Sequence, residues 1–215
     1  MEGLKKIVYG KLGIPIFLFL MFIALYLNHV ENPNVYFLCF GIVILAFITK
    51  NQDYLPYIVG GAFFAFFVNT VVGFSLSTNF PVVAIISPSM EHGVNIETTH
   101  YRWLEENLGY DRKTIDSWPF SNGFYVGDLG IVKGEKEYKV GEVIVYKVPG
   151  QKLPVIHRII KINEDGTYMT KGDNNPGLLP FERSVKREQV EGRVIFIIPK
   201  IGYLKVIAAW LLGWF

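Results

Sequence analysis

Long apolar runs dominate the first third of the chain, and short β-branched stretches follow in much of the rest. From Leu12 to Leu27 and from Val35 to Thr49 the sequence is almost uncharged, and Leu55 to Phe74 has no Asp, Glu, Lys or Arg. A helix that crosses a bilayer needs roughly 20 apolar residues, a length the third run reaches. The first two are shorter, although the first extends back to Ile7 if the Lys11 ammonium snorkels toward the headgroups. The pattern predicts a membrane anchor over residues 1–78 with about three transmembrane segments, roughly 7–27, 35–49 and 55–76. A buried helical hairpin is the competing reading. A cleaved signal peptide is disfavoured, because no small-residue cleavage site separates the first run from the second.

Loop charges orient these segments. Lys5, Lys6 and Lys11 precede the first, Lys50 lies between the second and third, and no Lys or Arg occurs from Asn28 to Asn34. Positive residues favour the cytoplasm, so three crossings put the N-terminus inside and everything after about Ser75 outside, in a multi-pass protein of the cell membrane with an extracytoplasmic domain.

After Thr78 the pattern changes to short β-branched stretches punctuated by Gly, Pro, Asn and Asp. Strands are predicted at Val82–Ile86, Asp128–Val132, Glu142–Lys147, Val155–Asn163, Tyr168–Lys171 and Arg193–Ile198, giving a mostly β domain over residues 79–200. Asp165-Gly166 is a hairpin signal, since both residues tolerate positive φ. Residues 96–118 differ: Tyr101, Leu104 and Leu108 recur at helical spacing among charges, which predicts a surface helix inserted into the β domain and able to cover part of it. Residues 201–215 are apolar and aromatic with one charge, Lys205, and read as a membrane-interface segment; dipping into the bilayer and packing on the core are its rivals.

Composition adds little to this picture. The 51% apolar and 15% aromatic content exceeds what one modest globular domain needs, and the surplus is N-terminal. A formal charge of +2 without a basic block gives no sign of a nucleic-acid partner. The single cysteine, Cys39, lies in the second apolar run, so the exported domain rests on its core and not on disulfides. P-loop, dinucleotide-binding, HExxH and GxSxG motifs are absent, and the four histidines have no zinc-ligand spacing, so no cofactor or metal is implied.

Three short segments carry candidate chemistry: Ser87-Pro88-Ser89-Met90, Val155-Ile156-His157-Arg158 and Lys171-Gly172-Asp173-Asn174-Asn175. A serine hydroxyl is a poor nucleophile until a base takes its proton, and the base works best when a third group fixes its tautomer. Ser, His and Asp are the usual residues for those roles. Taken singly they read as a turn, a structural strand histidine and a hairpin tip.

In this order the three segments resemble the type I signal peptidases, in the archaeal and endoplasmic-reticulum branch that uses histidine where the bacterial branch uses lysine. The resemblance covers roughly Val82 to Gly202, including Gly127-Asp128 and the stretch from Gly192 to Pro199. It implies a signal-peptidase-like β catalytic domain with Ser89 as nucleophile, His157 as general base and then acid, and Asp173 as orienting or charge-balancing partner. Ser87 matches a position whose hydroxyl assists the oxyanion hole, and Asp128 matches a structural or supporting one. Relatives commonly carry a second acidic residue a few positions beyond the Gly-Asp-Asn motif; here Pro176 to Phe181 intervene before Glu182, which stands as a possible substitute. The link from Ser89 to Gly127, holding the 96–118 insertion, is longer than is usual in the family. His92 and His100 are rival bases to which surface or turn roles are assigned.

The implied activity is removal of signal peptides from secretory preproteins after small residues at the outer membrane face, with the lipid bilayer and translocation machinery as further partners. Placement agrees: Ser89 follows the third apolar run by about fifteen residues, a reach of at most about 50 Å. The alternatives are a membrane protease for another exported substrate and a non-enzymatic membrane scaffold subunit.

Overall fold

The computed structural model describes residues 13–27, 33–151 and 153–203. The chain divides into two compact units with the boundary between Val72 and Gly73, and each is treated by itself.

The first unit is helical. Helices α1 (Gly13–Leu27), α2 (Pro33–Ile48) and α3 (Leu55–Ser75, which runs past the boundary) are apolar on every side, the mark of helices that do not face water. Phe17, Met21, Leu25, Val43, Leu55 and Val59 pack together, while Phe37, Phe64 and Phe67 stay exposed. With the short turn before it, α3 is the one described helix long and apolar enough to cross a membrane; α1 and α2 fall short of that length. The extension of the first segment to Ile7, the flanking lysines 5, 6 and 11, and all but the first three residues of the predicted interface segment 201–215 lie outside the described residues.

The second unit is built on six strands: β1 (Val82–Ala84), β2 (Leu129–Lys133), β3 (Val143–Tyr146), β4 (Val155–Ile162), β5 (Tyr168–Lys171) and β6 (Val190–Ile198). They form one sheet in the order β1-β2-β6-β3-β4-β5 with every neighbouring pair antiparallel. Each strand falls on a predicted one within a few residues. Asp165-Gly166 forms the β4–β5 turn, with Gly166 at φ +78° and the Asp165 carboxylate accepting from the Thr167 N–H. Register breaks at Ile131/Val132, Val145/Tyr146 and Ile159/Lys161 bend the sheet.

Both faces of the central strands are buried. On one, Val83, Val132, Val143, Val145 and Val194 pack with Met90 and Phe124. On the other, Ile144, Tyr146, Ile159, Tyr168 and Val190 pack with Val185.

The insertion is not the single surface helix that its spacing predicts. A π-helical turn (Glu97–Arg102) runs into α4 (Trp103–Leu108), Gly109 at φ +72° stops that helix, and Asp111 caps α5 (Arg112–Asp116) by accepting the Thr114 N–H. Its apolar side is core: Leu104, Ile115 and Trp118 are buried against Ile160 of β4. The insertion therefore covers the side of β4 to which Arg158 and Ile160 point.

Candidate active site

Ser89 sits in a short 3₁₀ turn, Pro88–Met90, at the end of the segment leaving β1. Ser87 precedes the turn in an extended conformation and Pro88 takes its first position, where the missing N–H costs nothing. Met90 anchors the turn in the core, leaving Ser89 half-buried and Ser87 exposed. The Ser87 and Ser89 hydroxyls are 3.1 Å apart.

His157 lies in β4, opposite Ile144 of β3, and β4 adjoins the Ser89 turn. Its ring is buried and meets Tyr146 edge-on, at 6.5 Å between centroids. Burial and the hydrogen bond between the Tyr146 and Thr170 hydroxyls push the Tyr146 hydroxyl in opposite directions, and burial wins, raising its pKa above the ordinary value. Tyr146 thus stays a neutral phenol beside the imidazole.

The carboxylate next to His157 is Glu182. Its Oε1 approaches His157 Nδ1 at 2.5 Å, at an angle poor for a hydrogen bond. The same carboxylate accepts the Gly172 N–H at 3.2 Å and the Leu179 N–H, so a fully buried charge is tied to backbone donors on two sides. The Leu179 bond closes the turn at Pro180–Glu182, which carries Glu182 back toward β4.

Asp173, the acidic residue of the Gly-Asp-Asn motif, is engaged elsewhere. Arg158 Nε lies 2.9 Å from its Oδ1 and Arg158 Nη2 2.7 Å from its Oδ2. His92 Nε2 is 2.9 Å from Oδ2 and His100 Nδ1 3.4 Å from Oδ1. Burial pushes the Asp173 carboxyl up, but the Arg158 guanidinium and the bond from His92 outweigh it and hold the group well below the usual carboxylate range. Arg158 also donates to the Pro119, Phe120 and Gly141 carbonyls, which joins the chain just after the insertion and the turn before β3 to this hub.

Of the two histidines given surface or turn roles, His92 is half-buried in the loop after the Ser89 turn and His100 is buried in the π-helical turn. His100 is 2% exposed, and burial lowers its pKa to about 4. His92 is held between the His100 ring, 5.3 Å away, and Gly123, where a Cβ would come within 2.5 Å of the imidazole. Their ring nitrogens and the Asp173 carboxylate lie within 4.8 Å of one another, a spacing that could suit a metal ion. The charges argue against that use: Arg158 already engages both carboxylate oxygens, and Lys171 and Arg158 are close enough to disfavour positive charge on His100.

Asp128 and Lys171 brace the site. Asp128 accepts the Tyr125 N–H at 2.9 Å and the Lys200 N–H at 3.1 Å, pinning the entry to β2. Lys171 extends into the interior, where burial lowers its pKa to about 8, and donates to the Thr99, Gly172 and Asn175 carbonyls. Sequence reasoning gave His92 and His100 surface or turn roles, and it gave none to Arg158 and Lys171. The only sign of the last two was their adjacency to the His157 and Gly-Asp-Asn motifs.

A buried imidazole beside a buried carboxylate, on a strand adjoining an exposed serine turn, is the residue set of serine hydrolases that use a histidine base. No family model matches the chain. A signal peptidase complex catalytic subunit sec11 from Dictyostelium discoideum is 37% identical over 94 residues, which cover 39% of this chain and 52% of the relative. The human subunit SEC11C is 34% identical over 95 residues, covering 39% and 50%. A SEC11 subunit from Chaetomium globosum is 31% identical over 132 residues, covering 54% of this chain and 77% of the relative. The chain belongs to the family of signal peptidase complex catalytic subunits. It spans about half the length of the first two of these relatives.

Proposed function

We propose that this chain is a membrane-anchored serine endopeptidase that removes signal peptides from secretory preproteins after small residues, with Ser89 as nucleophile, His157 as base and Glu182 as the carboxylate that orients the base. The observation that carries the assignment of the third residue is the 2.5 Å approach of Glu182 to His157 Nδ1. Asp173 is thereby moved from partner of the base to organiser of the turn that holds Ser89.

In this reading Glu182 favours the tautomer with the proton on Nδ1, leaving Nε2 to accept the Ser89 proton as Oγ attacks the scissile carbonyl. The negative charge that develops on the carbonyl oxygen is met by the Ser89 backbone N–H and the neighbouring Ser87 hydroxyl; losing one such donor typically costs about 10²–10³ in rate. His157 then protonates the leaving amine, and water attacks the acyl-enzyme by the same route in reverse. An imidazole, with an ordinary pKa of about 6.5, serves as a base near neutrality without the strong depression a lysine needs.

Three apolar helices anchor the enzyme in the cell membrane with the β unit outside. The all-round apolar surface of α1, α2 and α3 supports this reading, as does the positive-inside pattern of the loops. The relatives are named as subunits of a complex, and we extend that to this chain: other subunits and the translocation machinery are its partners.

The test is cleavage of a purified preprotein by the full chain in phospholipid vesicles, with N-terminal sequencing of the product. A cut after the small-x-small site that is lost in Ser89→Ala, with Tm unchanged, is expected. Cleavage that survives Ser89→Ala, or a cut at an unrelated site, overturns the proposal.

A further inference from the structure

The turn bearing Ser89 is pinned from both directions to one other turn, residues 172–175. On the incoming side, the Asn174 backbone N–H donates to the Ser89 carbonyl at 2.8 Å, and Asn174 Nδ2 donates to the Pro88 carbonyl at 3.1 Å. Gly172 lies so close beneath that a Cβ there would sit 2.9 Å from the Ser89 carbonyl oxygen. On the outgoing side, His92 reaches Asp173, the residue before Asn174, at 2.9 Å. Ser89, His92, Asp173 and Asn174 thus close a ring through the main chain and two hydrogen bonds, and the Asn174 side chain ties Pro88 to it. Asp173 also holds Arg158, the residue next to His157 in β4, at 2.7 Å. One carboxylate therefore ties together the chain leaving the nucleophile and the strand carrying the base.

The insertion buttresses this ring. His100, on the π-helical turn, backs the His92 ring and faces the other carboxylate oxygen. The adjacent Thr99 carbonyl receives the Lys171 ammonium, whose remaining protons go to the Gly172 and Asn175 carbonyls of the same 172–175 turn. The buried imidazoles, carbonyl and ammonium all converge on the turn that seats Ser89.

We infer that His92, backed by His100 of the insertion, is a positioning residue that sets the place of Ser89 relative to His157 through the Asp173 carboxylate. This rests on the functional reading above only for its kinetic consequence. A nucleophile displaced by about 1 Å can lose roughly 10²-fold in rate, so partial release of the turn should lower kcat about tenfold or more and leave KM nearly unchanged.

The experiment compares His92→Phe, which keeps a ring and removes the nitrogens, with His92→Gln, whose amide can still donate to Asp173. Each full-length variant is measured for preprotein cleavage and, independently of activity, for amide hydrogen exchange at Asn174, with Val194 in β6 as the control for the sheet. Expected is a kcat loss of about tenfold or more in His92→Phe with KM within about twofold. Asn174 exchange should be about tenfold faster in that variant while Val194 is unchanged, and His92→Gln should recover most of both. His92→Phe with wild-type kcat and Asn174 protection overturns the inference. So does His92→Gln failing as badly as His92→Phe, because ring packing would then be the cause. A wild-type chain that cleaves no preprotein refutes the functional reading instead, and the exchange measurement still decides the positioning role.

Discussion

Replacing Glu182 by glutamine tests which acidic residue serves the base. The Glu182 carboxylate faces three groups that can donate protons: the Gly172 N–H, the Leu179 N–H and His157 Nδ1. Both of its oxygens accept, whereas an amide has one acceptor and one donor, so in Glu182→Gln at least one of these groups meets an NH₂. A lost hydrogen bond to a charged group is worth about 1.5–3 kcal/mol, and this sets the expected loss of folding stability. The catalytic loss is separate and larger. Without a carboxylate on Nδ1 the imidazole is free to adopt the wrong tautomer, and the charge that steadies the imidazolium is gone. A fall in kcat of about 10³–10⁴ follows by analogy with other triads, or roughly 4–5.5 kcal/mol in the barrier. Asp173→Asn gives the opposite balance: it strips the buried Arg158 guanidinium of its counter-charge, which costs about 3–5 kcal/mol of stability. The assay is preprotein cleavage by both variants, normalised to the folded fraction from near-ultraviolet circular dichroism. Glu182→Gln within threefold of wild type, alongside a folded Asp173→Asn reduced a thousandfold, would refute the assignment and return Asp173 to the base.

Further outcomes are open to measurement. His157→Lys should remain inactive near neutrality, because the ammonium would sit against Glu182, which raises its pKa and keeps it protonated; a pH–rate profile checks this, and wild-type-like cleavage at pH 7 would contradict it. His100 has its pKa lowered to about 4 by burial, so between there and its unfolded value the unfolded chain binds the proton that the folded chain refuses. Stability is therefore fully present above about pH 6.5 and is lost as pH falls toward 4, by up to about 3 kcal/mol. His100→Gln should flatten the dependence of Tm on pH across that window. Gly172→Ala would bring a Cβ within 2.6 Å of the Asn175 side chain and 2.9 Å of the Ser89 carbonyl; a kcat loss larger than its loss in Tm is expected, and equal kcat would show that the turn has room to move.

The strands were legible because they are short β-branched stretches closed off by Gly, Pro, Asn and Asp, and these stretches supply both cores: Val143, Val145 and Val194 one, Ile144, Tyr146 and Val190 the other. Ser89 and His157 were legible as motif residues. Glu182 was legible only as a possible substitute for a second acid, because Pro176 to Phe181 separate it from the motif, and the turn at Pro180–Glu182 returns it to His157 of β4. Asp173 drew the orienting role from the family motif, and nothing in that motif signals that Arg158 Nη2 lies 2.7 Å from its carboxylate. The insertion was misread for a related reason. Helical spacing at Tyr101, Leu104 and Leu108 signals an amphipathic element without saying how many turns share it, and the breaks at Gly109 and Asp111 divide it. His92 and His100 have no periodic signature, since what unites them is a carboxylate on a distant turn.

Because successive residues of a strand point to opposite sides, β4 works as a partition. His157 looks toward Tyr146 and Glu182, and Arg158 toward Trp118 and the carbonyls of Pro119 and Phe120. The inserted segment packs in the second compartment, where Leu104, Ile115 and Trp118 meet Ile160. Changes within residues 96–118 therefore act on the Arg158 side, where His100 and the Thr99 carbonyl meet the groups that hold the 172–175 turn. A deletion of one residue within β4 acts on both sides, since it would exchange the two compartments' occupants and put a permanent cation where the base belongs.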